Sequence, residues 1–594
     1  MREATTPGAE DIDLTVTVPD MAWAAEARFA DRPALARREG DRFVDISLGE
    51  TADLIRRVAA GFIALGIEPG SRIAVFSPTR WEFPVFDLAI LAAGCATVTI
   101  YETSSPEQVE WIIKDSGATA IVAADQGLVD VFEARAAALG TCEHVFSIDG
   151  GAIDRLTEIG ADLTDGDVRA RSDAVDPGAL ATLIYTSGTT GIPKGCHLTH
   201  RNLVWALEQA EAGIGAIVDE EASTLVFLPM AHIMARALQW LSLVKGAKVA
   251  FSTGIPNLLE ELAMVQPTWL LSVPRVFEKV YNGAASAATD DGKGRVFETA
   301  AQTAIDYSRA RQQGRVPLAL KARHSLFDRL VYSRLREAFG GRVQHAISGG
   351  APLGARLGHF YDGIGIQVLE GYGLTETTAA GTINLPRSRR IGTVGRPGPG
   401  MTIRIADDGE VLIRGGSVFE GYWNDPSATA QVIDEAGWFH SGDVGELDDD
   451  GFLTITGRKK ELIITAGGKN VAPGVLEDRM RAHAIVSQCM VVGDQQPFIA
   501  ALVTIDPEEW PRFAERHDKA GSIADHVDDP DLVAAVQVAV DDANQAVSRA
   551  ESIRTFRILP GDFTIETGEL TPTLKVKRRV IGEKYAEVIA GIYS

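Results

Sequence analysis

Short and long apolar segments alternate along the first quarter of the chain. The short runs end at polar or glycine positions and predict strands, whereas the longer segments are amphipathic and predict helices. The predicted strands are Arg72–Phe76, Ala96–Ile100 and Ala118–Ala123, and the predicted helices are Thr51–Leu65, Trp81–Ala93 and Pro106–Ser116. Repeated units of this kind predict a mostly parallel sheet covered by helices on both faces. The fold class is therefore α/β, and this class hosts many different chemistries.

The most apolar stretch of the chain is Phe83–Tyr101, which nevertheless contains Asp87 and Gly94. No cluster of basic residues flanks this stretch in the way that would support its insertion as a membrane span. A buried helix that leads into a core strand, Ala96–Ile100, explains the same pattern, because parallel sheets are buried on both faces. We therefore expect no membrane span.

The second half of the chain predicts a different organisation. Leu225–Leu228 predicts a strand, and the segment from Val273 to about Gly340 predicts a long helical stretch. A charged junction, Gly457–Glu461, separates two strand-like runs, Phe452–Thr456 and Glu461–Ala466. A chain of 594 residues exceeds the size at which single cores stop growing, so it is expected to divide. We expect a large N-terminal domain of mostly parallel sheets covered by helices, residues 1–456, and a small C-terminal α+β domain, residues 457–594.

Composition excludes several classes of partner. The formal net charge of −24 repels nucleic acid and anionic lipid, so neither is expected as the main partner. The four cysteines are far apart and show no zinc-binding spacing, which is typical of a protein of the reducing cytoplasm. The N-terminus lacks the basic and then apolar order of a signal peptide.

The segment Tyr185–Gly195 carries the clearest chemical signal. It combines hydroxyl side chains, glycines and Lys194 directly after the apolar run 179–184. Glycines allow backbone N–H groups to approach oxygen atoms closely, and a lysine neutralises charge, so the segment is predicted to bind a polyphosphate. It is not a Walker A loop, because Pro193 stands where the second glycine belongs and Gly195 where the magnesium-binding hydroxyl belongs.

Further motifs follow strand-like runs. Ser348–Pro352 and Gly371–Thr377 place glycines, an aromatic ring and a carboxylate close together in sequence. A flat base between backbone and Tyr372, with Mg²⁺ at Glu376, explains both motifs better than two ordinary turns. Asp443 offers a carboxylate for the two hydroxyls of a ribose, although aspartates in Gly-Asp pairs are usually turn residues. His232, which follows a predicted strand, is either a core residue or a ligand contact, with neither favoured.

These motifs, with Gly457–Lys460 and the basic run near Lys575, occur in the order that is typical of the adenylate-forming superfamily. The chain resembles this superfamily over about four hundred residues. Within it, the sequence Ser272–Val280 and the long helical insertion are similar to long-chain fatty acyl-CoA synthetases of the bacterial and bubblegum-like branch. The resemblance implies that a long-chain fatty acid is activated to an acyl-adenylate and transferred to coenzyme A, with ATP, Mg²⁺ and coenzyme A as cofactors.

The resemblance also implies roles for individual residues. Lys575 and Glu376 would be catalytic, with Glu376 also the metal ligand, and His232 would border the reacting carboxylate. The expected ATP and AMP contacts are Thr186, Ser187, Gly188, Thr189, Thr190, Lys194, Ser348, Gly349, Gly350, Ala351, Gly371, Tyr372, Gly373, Thr375, Asp443 and Arg458. Lys460 would be the hinge, Gly467 and Gly468 would line the coenzyme A path, and the acyl pocket would contain Met230, His232, Ile233, Val273 and Pro274.

Two positions depart from the family pattern. Thr573-Leu574 stands where Ser-Gly usually precedes the catalytic lysine, which leaves Lys577 as a second, less favoured candidate. Arg236 occupies the position at which some long-chain members have a gating tryptophan.

Alternative functions remain open at this point. A fatty acyl-AMP ligase would pass the acyl group to a carrier protein, a relative with an aryl or amino acid substrate would keep the same motifs, and a lipid-binding module would keep only the apolar pocket. The arginines between Arg323 and Arg336 accompany leucines at near-helical spacing, so a basic helix in peripheral contact with the inner membrane face is an alternative to simple packing. A homodimer is compatible with the resemblance.

Overall fold

The computed structural model describes residues 2–135, 140, 142–186, 192–571 and 575–594. Strands in this part of the chain assemble into several separate sheets. In chain order they are β1 Glu3–Thr5, β2 Pro33–Glu39, β3 Arg42–Ser47, β4 Arg72–Phe76, β5 Ala96–Ile100, β6 Ala120–Ala123, β7 His144–Ser147, β8 Leu180–Thr186, β9 Lys194–Thr199, β10 Ser223–Val226, β11 Lys248–Phe251, β12 Trp269–Ser272, β13 His345–Ser348, β14 Gln367–Tyr372, β15 Thr382–Ile383, β16 Arg396–Pro397, β17 Thr402–Ile405, β18 Glu410–Arg414, β19 Gly421–Tyr422, β20 Phe439–Leu447, β21 Leu453–Arg458, β22 Ile463–Ile464, β23 Asn470–Val471, β24 Val486–Val492, β25 Ile499–Ile505 and β26 Ile553–Ile558.

Helices cover the faces of these sheets. They are α1 Val18–Phe29, α2 Leu48–Ala64, α3 Glu82–Ala92, α4 Pro106–Ser116, α5 Gln126–Glu133, α6 Ala152–Ile159, α7 Asp165–Asp173, α8 His200–Ile214, α9 Ile233–Val244, α10 Leu258–Val265, α11 Pro274–Asp290, α12 Gly294–Gln312, α13 Leu318–Phe327, α14 Ser333–Glu337, α15 Ala355–Gly363, α16 Pro426–Ala430, α17 Pro473–Arg481, α18 Trp510–Arg516, α19 Pro530–Asn544, α20 Arg578–Lys584 and α21 Ala586–Tyr593.

The first large sheet confirms the predicted α/β class. Its strand order is β19-β9-β8-β5-β4-β6-β7, and the pairs from β8 to β7 are parallel, while β9 pairs with both of its neighbours in the antiparallel sense. Helix α3 is buried along its whole length and leads to the fully buried strand β5. The apolar stretch that contains Asp87 is thus a core helix and strand, as predicted.

A second sheet carries two of the other predicted nucleotide motifs at the ends of neighbouring parallel strands. Strands β12, β13 and β14 are parallel neighbours, and β15 and β16 extend this sheet in the antiparallel sense. Ser348 ends β13 and Tyr372 ends β14. Because the carboxyl ends of parallel strands open onto one edge of a sheet, both motifs face the region where ligands bind in open α/β sheets.

One sheet has an organisation that the sequence pattern did not predict. Strands β1, β17, β18, β20 and β21 form an entirely antiparallel sheet within the N-terminal part. Several of its strands are separated by tight turns, and β1 reaches it from the other end of the chain, a pairing that local periodicity cannot reveal. This sheet pairs Asp443 with Arg458 in register.

The C-terminal segment has its own apolar clusters. One lies under α17, α18 and α19, and another under the last two helices, and both are composed of residues after 462. The strand predicted over Glu461–Ala466 is wrong in extent: Lys459–Glu461 form a 3₁₀ turn, and only β22, Ile463–Ile464, is extended. The division of the chain at residue 456 stays a prediction.

The helical stretch predicted after Val273 is present as α11 to α14, with a π-helical turn at Asp328–Tyr332. Of the leucines at near-helical spacing, Leu335 is buried, whereas Leu326 and Leu330 are more than half exposed. Among the described residues, none of the helices combines the length and apolarity that a membrane crossing requires.

Candidate active site

The predicted polyphosphate loop begins at the end of β8 and ends at the start of β9. Thr186 and Lys194 are directly opposite each other in the antiparallel β8–β9 pair, so the segment between them is a hairpin connection. Ser187, Gly188, Thr189 and Thr190 lie outside the described residues. Thr186 and Lys194 anchor the loop in the first large sheet, whereas β13 and β14, which carry two of the other motifs, belong to a second sheet.

Lys194 is connected to Glu376 through Tyr422. The Lys194 ammonium lies 5.1 Å from the centre of the Tyr422 ring and 3.9 Å from the Asp425 carboxylate. The Tyr422 hydroxyl donates a 2.9 Å hydrogen bond to Glu376 Oε1. One aromatic side chain therefore orients both the cation of the loop and the carboxylate predicted to hold Mg²⁺. Tyr422 was missed from the sequence, where the only signal was an aromatic pair that follows Gly421.

The Ser348–Ala351 turn forms a second wall. Gly350 has a φ of +84°, which favours glycine, and a Cβ atom at Gly349 would lie 3.0 Å from the Met234 sulfur. The Ser348 hydroxyl is buried and has no hydrogen-bond partner among the described residues. Since buried polar groups are nearly always paired, this hydroxyl is available to a ligand. Ala351 is exposed at the end of the turn.

The Gly371–Thr377 segment folds tightly onto its own continuation. A Cβ atom on Gly373 would lie 2.3 Å from the Ala379 carbonyl oxygen, so only glycine fits. Gly371 is paired with Ile383 in the β14–β15 ladder, and Thr375 is buried at the start of the turn that carries Glu376. This packing fixes the direction of the Glu376 side chain.

Tyr372, Asp443 and Arg458 form one hydrogen-bonded group. The Tyr372 hydroxyl donates to Asp443 Oδ2 at 2.6 Å, and Arg458 Nε donates to Asp443 Oδ1 at 2.8 Å. Burial raises the pKa of Tyr372 well above its usual value, and the neighbouring Asp443 charge adds to this, so the hydroxyl remains a donor. The predicted adenine and ribose contacts are therefore adjacent.

His232 caps the N-terminus of α9. Its Nδ1 accepts a 3.2 Å hydrogen bond from the Met234 N–H. Desolvation lowers the pKa of His232 to about 4, and the positive charge of Lys575 acts in the same direction. The imidazole is therefore neutral at physiological pH. Of the other predicted acyl-pocket residues, Met230 and Ile233 are buried core residues, and Val273 and Pro274 begin α11.

Lys575 belongs to the C-terminal segment and lies near the charges of Arg458, Asp443 and Glu376. Its backbone is held by a narrow turn, because the Lys575 N–H donates to Thr571 Oγ1 at 3.0 Å and its carbonyl accepts from the Thr571 N–H at 2.8 Å. Lys575 is exposed, yet its pKa is lowered. Desolvation is the main cause and the charge of Arg458 adds to it, while Asp443, Glu376 and Glu461 oppose them.

Arg578 connects the Lys575 turn to the predicted hinge. Its guanidinium contacts Glu461 at 3.4 Å, donates to the Val491 carbonyl at 3.1 Å and pairs with Glu477. Lys460 is exposed beside Glu461. Gly467 and Gly468 lie on the turn between β22 and β23. Gly468 has a φ of +75°, and no atom of the described residues lies within 4 Å of the point that a Cβ atom would occupy there.

The side chains near the predicted phosphate loop are suited to a Mg²⁺ ion that also contacts phosphate. Among the described residues there is no cluster of three or more His, Cys, Asp or Glu side chains that would enclose a metal ion. Mg²⁺ is usually bound by one or two carboxylates together with substrate phosphates, and Glu376 is a single carboxylate beside the predicted phosphate loop. The residues present therefore fit a magnesium ion that arrives with a nucleotide.

The fold and this arrangement define a nucleotide-dependent enzyme, and comparison with known proteins identifies its class. Residues 22–423 match the AMP-binding enzyme family, and residues 460–594 match the AMP-binding enzyme C-terminal domain. The chain belongs to the AMP-binding enzyme family.

Individual relatives show which members of the family this chain is similar to. The chain is 49% identical over 599 residues to the long-chain-fatty-acid–CoA ligase FadD15 of Mycobacterium bovis, with 100% of both chains covered. It is 31% identical to the long-chain-fatty-acid–CoA ligase ACSBG1 of Rattus norvegicus, covering 98% of this chain and 86% of the relative. Among solved structures, the adenylation domain of a carboxylate reductase from Mycobacterium chelonae has a TM-score of 0.74 at 24% identity, covering 97% of this chain and 91% of that one. The last likeness concerns the fold alone.

Proposed function

We propose that this protein is a long-chain fatty acid–CoA ligase that forms an acyl-adenylate and then an acyl-CoA. The observation that carries the proposal is the hydrogen-bonded group of Tyr372, Asp443 and Arg458. Lys575 lies close enough to this group for the charge of Arg458 to contribute to its lowered pKa. The full-length similarity to proteins named long-chain-fatty-acid–CoA ligase supports the choice of substrate and acceptor.

In the first step, a fatty carboxylate oxygen attacks the α-phosphorus of ATP, and the bond from that phosphorus to the β-phosphate oxygen breaks. The products are acyl-AMP and pyrophosphate. Two anions approach each other while charge builds on the α-phosphate, so the site needs local cations. Lys575 supplies one at the reacting end, and Lys194 supplies another where pyrophosphate would leave. Mg²⁺, held by Glu376 and the phosphates, would neutralise further charge.

Neighbouring residues keep the reacting groups oriented. Neutral His232 accepts a backbone hydrogen bond at Nδ1 and so can present its other nitrogen to the fatty carboxylate without adding a charge. Tyr372 and Gly350 would border the adenine, and Asp443 and Arg458 the ribose. Orientation of this kind lowers the barrier because the entropy of alignment is lost on binding rather than during the reaction.

In the second step, the thiolate of coenzyme A attacks the acyl carbonyl carbon, and the bond to the AMP oxygen breaks. Lys575 is not required for this step and occupies space in the cleft. We propose that the domain of residues 457–594 rotates about Lys460, so that Lys575 withdraws and the Gly467–Gly468 turn admits the pantetheine arm.

A fatty-acid-dependent exchange of labelled pyrophosphate into ATP tests the first step directly. The substrates would be acids from C8 to C24, and the assay would be run with and without coenzyme A. Exchange with long-chain acids, together with coenzyme A-dependent release of AMP, is expected. If adenylate forms but free coenzyme A releases no AMP, the alternative is correct, and the acyl group passes to a carrier protein. No exchange with any fatty acid would contradict the whole proposal.

We further propose peripheral contact with the inner face of a membrane. Residues 309–342 contain nine Lys and Arg residues against two acidic ones, a local net charge of +7 in a chain of net charge −24. Leu318, Leu326 and Leu330 protrude from this segment with 83, 56 and 55% of their surface exposed. Exposed leucines among basic residues are suited to the interface of an anionic bilayer, where fatty acids reside.

Vesicle flotation tests this contact. Vesicles of phosphatidylcholine with one-third phosphatidylglycerol are expected to carry the protein, and pure phosphatidylcholine vesicles are not. The double variant Leu318→Gln/Leu326→Gln should lose most of the binding. A matched control, Leu259→Gln/Val538→Gln, changes residues that are 54 and 61% exposed elsewhere and should retain it. Equal binding by both double variants would rule out this surface.

A further inference from the structure

One face of helix α11 carries a row of contacts between the large N-terminal part and the C-terminal segment. Four polar residues of α11 lie at intervals of four, seven and four positions, which places them on the same side of a helix. All four contact the loop before α18 or α18 itself. The pairs are Arg275–Asp506, Lys279–Glu508, Ser286–Glu509 and Asp290–Arg512. We call this set the α11 seam.

Arg275 and Asp506 form the most protected ion pair of the seam. Arg275 Nη2 lies 3.1 Å from Asp506 Oδ2, and the two side chains are 22 and 12% exposed. The other two ion pairs are nearer to solvent: the Lys279 and Glu508 side chains, with Nζ 2.7 Å from Oε1, are 42 and 74% exposed, and those of Arg512 and Asp290 are both 44% exposed. Ionic interactions strengthen as water is excluded, so Arg275–Asp506 is expected to contribute most.

Each partner of this pair is rigidly connected to its own side. The Asp506 N–H donates to the Ile485 carbonyl at 3.0 Å, and the Asp506 carboxylate accepts from the Glu508 N–H at 2.9 Å. Arg275 follows directly after Val273 and Pro274, the proposed acyl-pocket residues. The Arg275–Asp506 pair therefore links the position of the C-terminal segment to the start of the proposed acyl pocket.

A buried carboxylate lies beneath the seam. Glu278 is 7% exposed on the same helix, and its burial raises its pKa, against the opposing charges of Arg275 and Arg481. Arg481 belongs to α17 of the C-terminal segment. Glu278 thus faces a basic residue from each side of the contact, and separation of the two parts would expose it to water.

We propose that Arg275 and Asp506 are positioning residues, which hold the C-terminal segment where Lys575 reaches the adenylation site and separate before the thioester step. The proposal rests on the two-step function proposed above. Contacts between partly exposed charges are individually weak, so a small set of them can form and break within one catalytic cycle. The seam is either joined or separated. Binding of the acyl chain beside Pro274 would shift the balance between these two arrangements only to the extent that the chain binds one of them more tightly.

Charge reversal with rescue tests the seam. The single variants Arg275→Asp and Asp506→Arg should lower fatty-acid-dependent pyrophosphate exchange about tenfold, because each opposes like charges across the contact. The conversion of synthetic acyl-AMP to acyl-CoA should be unchanged or faster. The triple variant Arg275→Asp/Asp506→Arg/Glu278→Gln should recover exchange to within about threefold of the original rate. The pair is then restored with opposite polarity, and residue 278, which lies 3.7 Å from Arg275, no longer repels the new aspartate.

Arg169→Asp is the matched control, because Arg169 is 49% exposed on the N-terminal part and its ion pair with Asp173 lies within helix α7. It should leave both half-reactions unchanged. Equal loss of both half-reactions in the single variants, or failure of the triple variant to recover exchange, would overturn the positioning role of Arg275 and Asp506. If the unmodified protein shows no pyrophosphate exchange, the proposed function itself fails. Normal exchange in the single variants would refute only the positioning role.

Discussion

Arg236 donates hydrogen bonds to both carboxylate oxygens of Asp87, at 2.6 and 3.2 Å, and neither side chain has exposed surface. The third guanidinium nitrogen donates to Thr182 Oγ1 at 2.8 Å, and the Trp240 ring lies 4.7 Å from the guanidinium carbon. Arg236 occupies the position where some long-chain relatives have a gating tryptophan. Here this position is joined to the core, so the side chain is not free to swing without breaking a buried ion pair.

Removal of one partner of this pair should strongly destabilise the N-terminal domain. Asp87→Ala leaves an uncompensated buried guanidinium, so we expect a loss of about 3–5 kcal/mol in the free energy of unfolding. Urea unfolding followed by tryptophan fluorescence would measure it. Asp291→Ala, which removes an exposed partner of Lys293, should change stability by less than about 1 kcal/mol. Similar effects in the two variants would contradict the burial of Asp87.

Lys575→Ala should separate the two half-reactions. Loss of this ammonium removes a charge stabiliser from the first step, and we expect adenylation to fall about a hundredfold or more. Conversion of synthetic acyl-AMP to acyl-CoA should continue, because that step does not require the lysine. Lys577→Ala is the control, since Lys577 is the second candidate in the same basic run. Equal loss of both half-reactions in Lys575→Ala would refute the catalytic assignment.

The pH dependence of adenylation should report the lowered pKa of Lys575. The protonated form is active, so activity is present below that pKa and is lost as the pH rises through it. The alkaline decline should therefore begin below the ordinary lysine value of about 10.4. Lys575→Arg should shift the decline to higher pH, and the thioester step should lack it. His232 has a pKa of about 4 and should contribute no inflection near neutrality. A profile unaffected by Lys575→Arg would exclude Lys575 as the titrating group.

Tyr422→Phe should weaken the use of Mg²⁺ and ATP while the ring contact with Lys194 is kept. The lost hydroxyl donates to a carboxylate, and such bonds contribute about 1.5–3 kcal/mol, so the adenylation rate at limiting Mg·ATP should fall about tenfold or more. Steady-state kinetics over a range of magnesium concentrations would measure it. Tyr422→Leu, which also removes the ring from Lys194, should be worse. An unchanged magnesium dependence in Tyr422→Phe would show that the hydroxyl does not orient Glu376.

The first parallel sheet could be predicted from the sequence because its signals are local. Arg72–Phe76 and Ala96–Ile100 have the predicted bounds, and Pro106–Ser116 is a helix with Ser105 as its N-cap. Asp87 looked anomalous within an apolar run, and its explanation is Arg236, 149 residues away. A partner at that separation leaves no periodic signal in the sequence.

The antiparallel sheet and the Tyr422 contact could not be predicted for the same reason. Strand β1 pairs with β17 across about 400 residues, and Tyr422 joins Lys194 to Glu376 only through the tertiary fold. The grouping of Tyr372, Asp443 and Arg458 was implied by resemblance, and the β20–β21 register provides its physical basis. Sequence reasoning thus identified residue types that carry chemistry, while the elements that orient them depend on long-range pairing.

Gly373→Ala should abolish adenylation without unfolding the protein. The added Cβ would lie 2.3 Å from the Ala379 carbonyl oxygen, so the turn that directs Glu376 would have to move. Its neighbours are already constrained, because Thr378 and Ala379 have φ values of +53° and +59°, which non-glycine residues rarely adopt. Gly474→Ala is the control, since no atom of the described residues, apart from its chain neighbours and its own helix backbone, lies within 4 Å of an added Cβ there, and alanine favours a helix. We expect pyrophosphate exchange to be lost in Gly373→Ala and retained in Gly474→Ala, with circular dichroism unchanged in both. Normal exchange in Gly373→Ala would mean that the position of Glu376 does not depend on this close backbone contact.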